Sequence, residues 1–272
     1  MARLPVIVGF GGINSAGRSS SHQAYRRIVI DMLPSSVQQE VLLDLATLTN
    51  TAEHRNGIWY TDSGEQLDAN TLLATFSDEI LTKTLIRRIH PSFFDVDNVV
   101  LHKSSVLSPS ATDDHISFTI KTRSLPDKLP ENWTVLPLSN SLSEVTVEGN
   151  LEALIKDTKE LSVKSAGQLP TGFDPSTMYQ SRNHPRGLQM TVYGASDAIN
   201  SSGIPWAKIR DSVSPDKVAV FAANSIGQMD DLGFGGMLKS ALQGKRTTSK
   251  HLPLGYAQMP ADFVNAYVLG SA

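Results

Sequence analysis

Residues 3–20, "RLPVIVGFGGINSAGRSS", place a short apolar run ahead of four glycines and a group of hydroxyl side chains. Leu4 to Gly9 reads as a buried strand, since a β-branched run without alternation suits a sheet covered on both faces. His22 to Leu33 reads as a helix, with Ala24, Tyr25, Ile28 and Met32 on one side and Arg26 and Arg27 on the other. A strand, a glycine turn and a helix in that order raise the question of a phosphate cradle. A dinucleotide fingerprint needs G-x-G-x-x-G at this junction, so that bare backbone and a helix N-terminus meet the pyrophosphate. Gly9 and Gly11 fit, but Asn14 stands where the third glycine belongs, and Asp31 lies on a helix instead of ending a second strand. The residues therefore favour a turn that needs glycine for its backbone angles or for close packing.

Further along, Ser36 starts an amphipathic helix carrying Val37, Val41, Leu45 and Leu48, and Asp78 starts another carrying Ile80, Leu81, Leu85 and Ile89. From Asn98 to Gly149 the period changes to two. Strands are expected at Asn98–Leu101, Ile116–Thr122, Trp133–Leu136 and Val145–Glu148. Asn150 is expected to begin a helix through Leu151, Leu154, Ile155 and Leu161, and 167–183 is a loop by its Gly, Pro and Thr content. After His184-Pro185 a helix carries Leu188, Val192, Ala195 and Ile199 and stops at Gly203. "KVAVFAANS" (217–225) reads as a second buried strand, running into a glycine-rich helix that Asp230 and Asp231 begin, and "MPADFVNAYVLGSA" (259–272) as a last helix.

The composition narrows the chemistry. Of 272 residues, 40% are hydrophobic and 19% charged, as in an ordinary globular protein, and a net charge of -3 gives no global reason to bind nucleic acid or an anionic membrane. No apolar run approaches the roughly 20 residues that span a bilayer, and no secretory signal opens the chain, so the cytoplasm is the expected compartment. There is no cysteine, which removes disulfides, thiolate metal sites and thiol nucleophiles from this stretch of sequence. The seven histidines form no metal-ligand pair. His22, beside three serines, reads as a cap or first-turn residue, and no triad can be assigned. Lys239, Lys245, Arg246, Lys250 and His251 surround a glycine turn and could attract an acidic partner at short range.

From the residues alone this is an α/β protein with two buried strands, a β-rich insertion and no complete active site. Four stretches taken in order, "VIVGFGGINSAG", "YGASDAINSSGI", "KVAVFAANSIGQ" and "PADFVNAYVLGSA", resemble the N-terminal half of a beta-ketoacyl-acyl-carrier-protein synthase, specifically a long bacterial type with a large insertion. The resemblance implies the N-terminal half of a thiolase-like layered sandwich, carried by 1–33 and 184–272, with 34–183 a helical and β-rich insertion. It implies an acyltransferase of fatty acid biosynthesis, usually a homodimer, that condenses an acyl thioester with malonyl-carrier protein and uses no cofactor, the pantetheine arriving with the substrate. The nucleophilic cysteine and the family's histidines and lysine are then expected beyond Ala272, so no catalytic residue falls in this chain. What carries over is the turn "NSIGQM" (224–229), with Ile226, Gly227 and Met229 as expected acyl-pocket residues. A non-catalytic partner of the chain-length-factor kind and a nucleotide-binding dehydrogenase are the competing readings.

Overall fold

The structure is a computed structural model that describes residues 4–181, 183–243 and 245–270. Residues 1–3 of the expected 1–33 segment, Arg182 of the expected 167–183 loop, Gly244 of the expected glycine turn, and Ser271 and Ala272 of the expected last helix lie outside these residues. The chain divides into two compact units, one comprising 1–88 with 165–272 and the other 89–164.

In the larger unit, Leu4 to Gly9 forms no regular element and joins no sheet among the described residues, and Val6 and Ile7 are 79% and 90% exposed. The expectation of a buried strand fails here because β propensity expresses packing against neighbouring strands, and none stands beside this segment. The glycine loop that follows closes through β1 (Ile13–Asn14) and β2 (Gly17–Arg18). The expected helix from His22 is shorter than its pattern: α1 is Gln23–Ile28, and a 3-10 turn, Ile30–Met32, completes it.

α2 (Ser35–Leu48) is followed by a small antiparallel sheet of β3 (Ala52–Arg55), β4 (Ile58–Thr61) and β5 (Gln66–Leu67), then by α3 (Ala69–Thr82). The cap of α3 is Asp68, whose side chain accepts from Asn70 N at 2.9 Å and Thr71 N at 3.1 Å. Asp78, the expected start, lies well inside that helix, while Leu85 and Ile89 lie past its end. Leu85 has φ 65° and turns the chain into β6 (Ile86–Arg88). Val41, Leu45 and Ala46 of α2 meet Leu72 and Ile80 of α3, with Ile30 and Ala52, in a core that the sheet residues Trp59 and Leu67 flank.

The smaller unit is all β apart from turns. Its strands are β7 (Val99–Leu107), β8 (His115–Lys121), β9 (Trp133–Pro137), β10 (Leu142–Glu148) and β11 (Leu151–Lys159). Four of these answer to the expected strands. The fifth corrects an expected helix: Leu151, Leu154 and Ile155 sit at helical spacing, but all nine residues of β11 pair antiparallel with β7, Leu151 opposite Leu107 and Lys159 opposite Val99. β8, β10 and β9 form a separate sheet in that order, with Val145 and Val147 buried and Phe118 edge-on to Trp133.

The chain re-enters the larger unit through β12 (Ser165–Gly167), antiparallel to β6. α4 (Arg186–Ser201) matches its sequence pattern, with Leu188 and Val192 buried and Gly203 at φ 69° just beyond its end. After α5 (Trp206–Ser212), the expected strand 217–225 is a second unpaired run, its Phe221 95% exposed. The glycine-rich helix starts only at Phe234, as α6 (Phe234–Leu242), so Asp230 and Asp231 stand in the turn before it. α7 (His251–Gly255) and α8 (Met259–Val264) follow, and a π-helical turn, Asn265–Leu269, continues α8. No helix among the described residues is long and apolar enough to cross a membrane.

Candidate functional site

The opening glycines are taken up by a helix contact. A Cβ added at Gly9 would stand 2.5 Å from the Ala198 carbonyl oxygen, and one at Gly11 would lie 2.6 Å from the Asp197 carbonyl carbon and overlap Ala198. The loop lies across α4 with no room for side chains, and Asp197 of that helix fastens it. Its carboxylate accepts from Gly12 N at 3.0 Å, Ser20 N at 3.3 Å and Ser20 Oγ at 2.5 Å. Arg18 ion-pairs with Asp44 and stands 3.8 Å from Asp197. Burial raises the Asp44 carboxyl above its ordinary value, against the lowering effect of Arg18, and pushes the Tyr193 hydroxyl nearby up to about 12. These amides face a protein carboxylate, so the loop serves as a packing device.

The histidines do not assemble a reaction centre. His184 sits among Tyr179, Phe263 and Tyr267, with the two tyrosine hydroxyls 3.2 Å and 3.4 Å from its ring nitrogens. Burial lowers its pKa, favouring the neutral ring, and pushes Tyr179 up to about 12. His22 stands at the start of α1 with φ 59°, its ring 5.0 Å from that of Phe10. His251 packs against Gly236 and leaves Nδ1 buried without a partner among the described residues. No cluster of three His, Asp or Glu side chains able to hold a metal occurs among those residues.

The turn 224–230 differs from these in being held on several sides while presenting apolar side chains outward. Asn224 N donates to Ala257 O at 2.9 Å, and Asn224 Oδ1 accepts from Ile226 N at 3.1 Å. Gly227 has φ 71°, and a Cβ there would overlap Gly255 O and stand 3.2 Å from the Phe234 ring. Gly227 is therefore obligatory on two counts, conformation and space. Ile226 and Met229 project outward, 69% and 50% exposed. Of the three residues named from the sequence, the turn thus brings together two outward-facing apolar side chains and the glycine that shapes their backbone. In α6, Lys239 pairs with Asp231 at 3.1 Å, while Lys245, Arg246 and Lys250 beyond that helix are exposed and make no ion pair among the described residues.

No protein-family model matches the chain. It is 45% identical over 271 residues to the beta-ketoacyl-acyl-carrier-protein synthase FabY of Pseudomonas aeruginosa, a match that covers all of this chain and 43% of FabY. The chain is a homologue of part of a beta-ketoacyl-acyl-carrier-protein synthase. The crystal structure described as that of the noncanonical ketosynthase FabY superposes with a TM-score of 0.88 at 45% identity, over 99% of this chain and 42% of that one. The fold is thus that of the N-terminal part of a thiolase-like ketosynthase, and the chain spans less than half the length of the relative it matches. The runs 4–9 and 217–225 lie within this chain and pair with no strand among the described residues.

Proposed function

We infer that this chain is the N-terminal portion of a beta-ketoacyl-acyl-carrier-protein synthase, which condenses an acyl thioester with a malonyl thioester on the carrier protein in fatty acid biosynthesis. The observation that carries the reading is the 45% identity sustained over 271 residues together with a shared fold. An absent cysteine fits it, because this reaction needs a thiolate at a helix N-terminus and backbone amides around the developing oxyanion, and neither has to come from this portion. The catalytic cysteine, histidines and lysine belong to the remainder of the protein in this reading.

Ile226, Gly227 and Met229 form part of the acyl pocket wall, in keeping with a turn that is fixed in backbone and apolar on its outer side. Lys245, Arg246 and Lys250, which make no ion pair among the described residues, supply the attraction that an acidic carrier protein would meet. The protein works as a homodimer in the cytoplasm without a bound cofactor, and 34–183 is the insertion that distinguishes it from shorter family members. The test is an assay of the full-length protein with acyl thioester and malonyl-carrier protein: carbon dioxide release coupled to formation of the 3-ketoacyl product is expected, and the chain of 272 residues alone should form none. Condensation by that chain alone, or none by the full-length protein, would overturn the reading.

A further inference from the structure

The turn bearing Ile226 and Met229 grips the start of α4 twice, through Gln228 and Asp230. Gln228 is 3% exposed. Its backbone is fixed at both ends, N donating to Gly255 O at 2.9 Å and O accepting from Phe234 N at 2.8 Å. Its amide lies against Gly187 in the first turn of α4, where a Cβ would overlap Oε1 and stand 3.2 Å from the amide carbon. Behind it, a Cβ on Gly233 would come within 2.9 Å of Gln228 Cβ. The side chain is boxed in from both sides, and its Nε2 is buried with no acceptor among the described residues. An orphaned buried donor is costly, so an apolar residue of this size would fill the same space at lower cost.

Asp230 makes the second grip. Its Oδ2 accepts from the backbone N of Arg186, the first residue of α4, at 2.6 Å, and its Oδ1 from Leu232 N at 3.0 Å. The residue preceding α4, Pro185, provides no side-chain cap, so a carboxylate 44 positions away caps the helix at its positive end.

We propose that Gln228 and Asp230 are positioning residues, which pin the 224–230 turn to the first turn of α4 and thereby fix the depth of Ile226 and Met229 and the length of acyl group accepted. The proposal rests on the reading of those two side chains as pocket wall. Because Gln228 lies between Gly227 and Met229 and cannot move without leaving its box, any displacement at Gly187 passes directly to the wall. Apolar pockets discriminate one methylene by roughly 10- to 200-fold, so a small displacement is enough to change the preference.

The experiment uses the full-length protein with Gly187→Ala, Gln228→Ala and the double variant, comparing kcat/KM for a two-carbon and an eight-carbon acyl thioester. Gly187→Ala and Gln228→Ala should each change the ratio of the two by about tenfold, and the double variant should change it by no more than either alone, since both act through the one contact. Equal losses at both lengths, or effects that simply add in the double variant, overturn the proposal. Should Gly187→Ala fail to fold, Asp230→Ala serves instead: it should shift the ratio, with Asp230→Asn restoring it through the retained acceptor oxygen, and no shift in the ratio overturns the proposal. A full-length protein that condenses neither thioester overturns the functional reading and the length claim together, whereas condensation with an unchanged ratio overturns the positioning claim alone.

Discussion

The helical core around α2 and α3 and the two bare runs, 4–9 and 217–225, are both rich in aliphatic side chains, yet one is buried and the other stands in solvent. Leu72 and Ile80 are fully buried, whereas Ile7 and Phe221 are 90% and 95% exposed. The difference lies in where the partners are. α2 finds α3 about 30 residues on, close enough for a core to close within the chain. The two runs lie in a chain that matches 43% of the ketosynthase it resembles, and no described strand pairs with them. Apolar pattern identifies a segment that needs cover, and only the surrounding fold provides it.

The sharpest way to break this contrast is a pair of truncations in the chain of 272 residues. Leu72→Ala should cost about 2–5 kcal/mol, through lost burial and the cavity left behind. Phe221→Ser should alter stability by less than about 0.5 kcal/mol, as expected for a side chain that packs against nothing. Urea unfolding of both variants reads the difference, and comparable losses would show that the 217–225 run is packed after all.

A second comparison concerns what local sequence reveals. α4 and its glycine stop were legible because the 3.6-residue stripe of Leu188 and Val192 is a local signal that the tertiary structure reinforces. β11 was misread for the opposite reason. Its Leu151, Leu154 and Ile155 satisfy helical spacing, but the partner that decides the matter, β7, lies 44 to 60 residues earlier, from Leu151 opposite Leu107 to Lys159 opposite Val99. Two acidic residues at 230 and 231 suit a helix start, while Asp230 in fact caps α4, which nothing in its neighbourhood of sequence announces. In the candidate site, resemblance to a family points to Ile226, Gly227 and Met229, whereas nothing local marks Gln228, whose burial against Gly187 depends on a contact 41 residues away. Contacts between distant segments carry no periodicity, so they leave no pattern to read.

The glycine loop sharpens the comparison at an intermediate magnitude, since it is a long-range contact that the sequence did foreshadow. At Gly11 a methyl group would meet backbone atoms of Asp197 and Ala198, which cannot rotate away as a side chain could. Gly11→Ala should therefore cost about 1–3 kcal/mol, in the range of overpacked interiors. At Gly57, which has open space around it, the same substitution should act only through its φ of 84°. Thermal unfolding of the two variants separates collision from backbone strain. A loop held loosely on α4 would give Gly11→Ala no more effect than any exposed site, and the phosphate-cradle reading would then regain ground.

The smallest effect is one of pH, and it contrasts the aromatic cluster with the exposed histidines. His184 has its pKa lowered by burial from the ordinary 6.5, so the folded chain binds fewer protons there than the unfolded chain once the pH approaches that value. Stability then rises with pH across this interval, because unfolding takes up a proton. The contribution is fully present above about 6.5 and is lost as the pH falls through the lowered value. His184→Phe should flatten that part of the profile measured by urea midpoints between pH 5 and 8. His115 has its pKa raised, first by its hydrogen bond to Asp114, so its slope has the opposite sign: its contribution is present below 6.5 and fades as the pH climbs through the raised value. A profile that keeps its slope in His184→Phe would mean that the Tyr179 and Tyr267 hydroxyls stabilise the charged ring as well as the neutral one, and that the cluster is more open to water than the packing of Phe263 against it indicates.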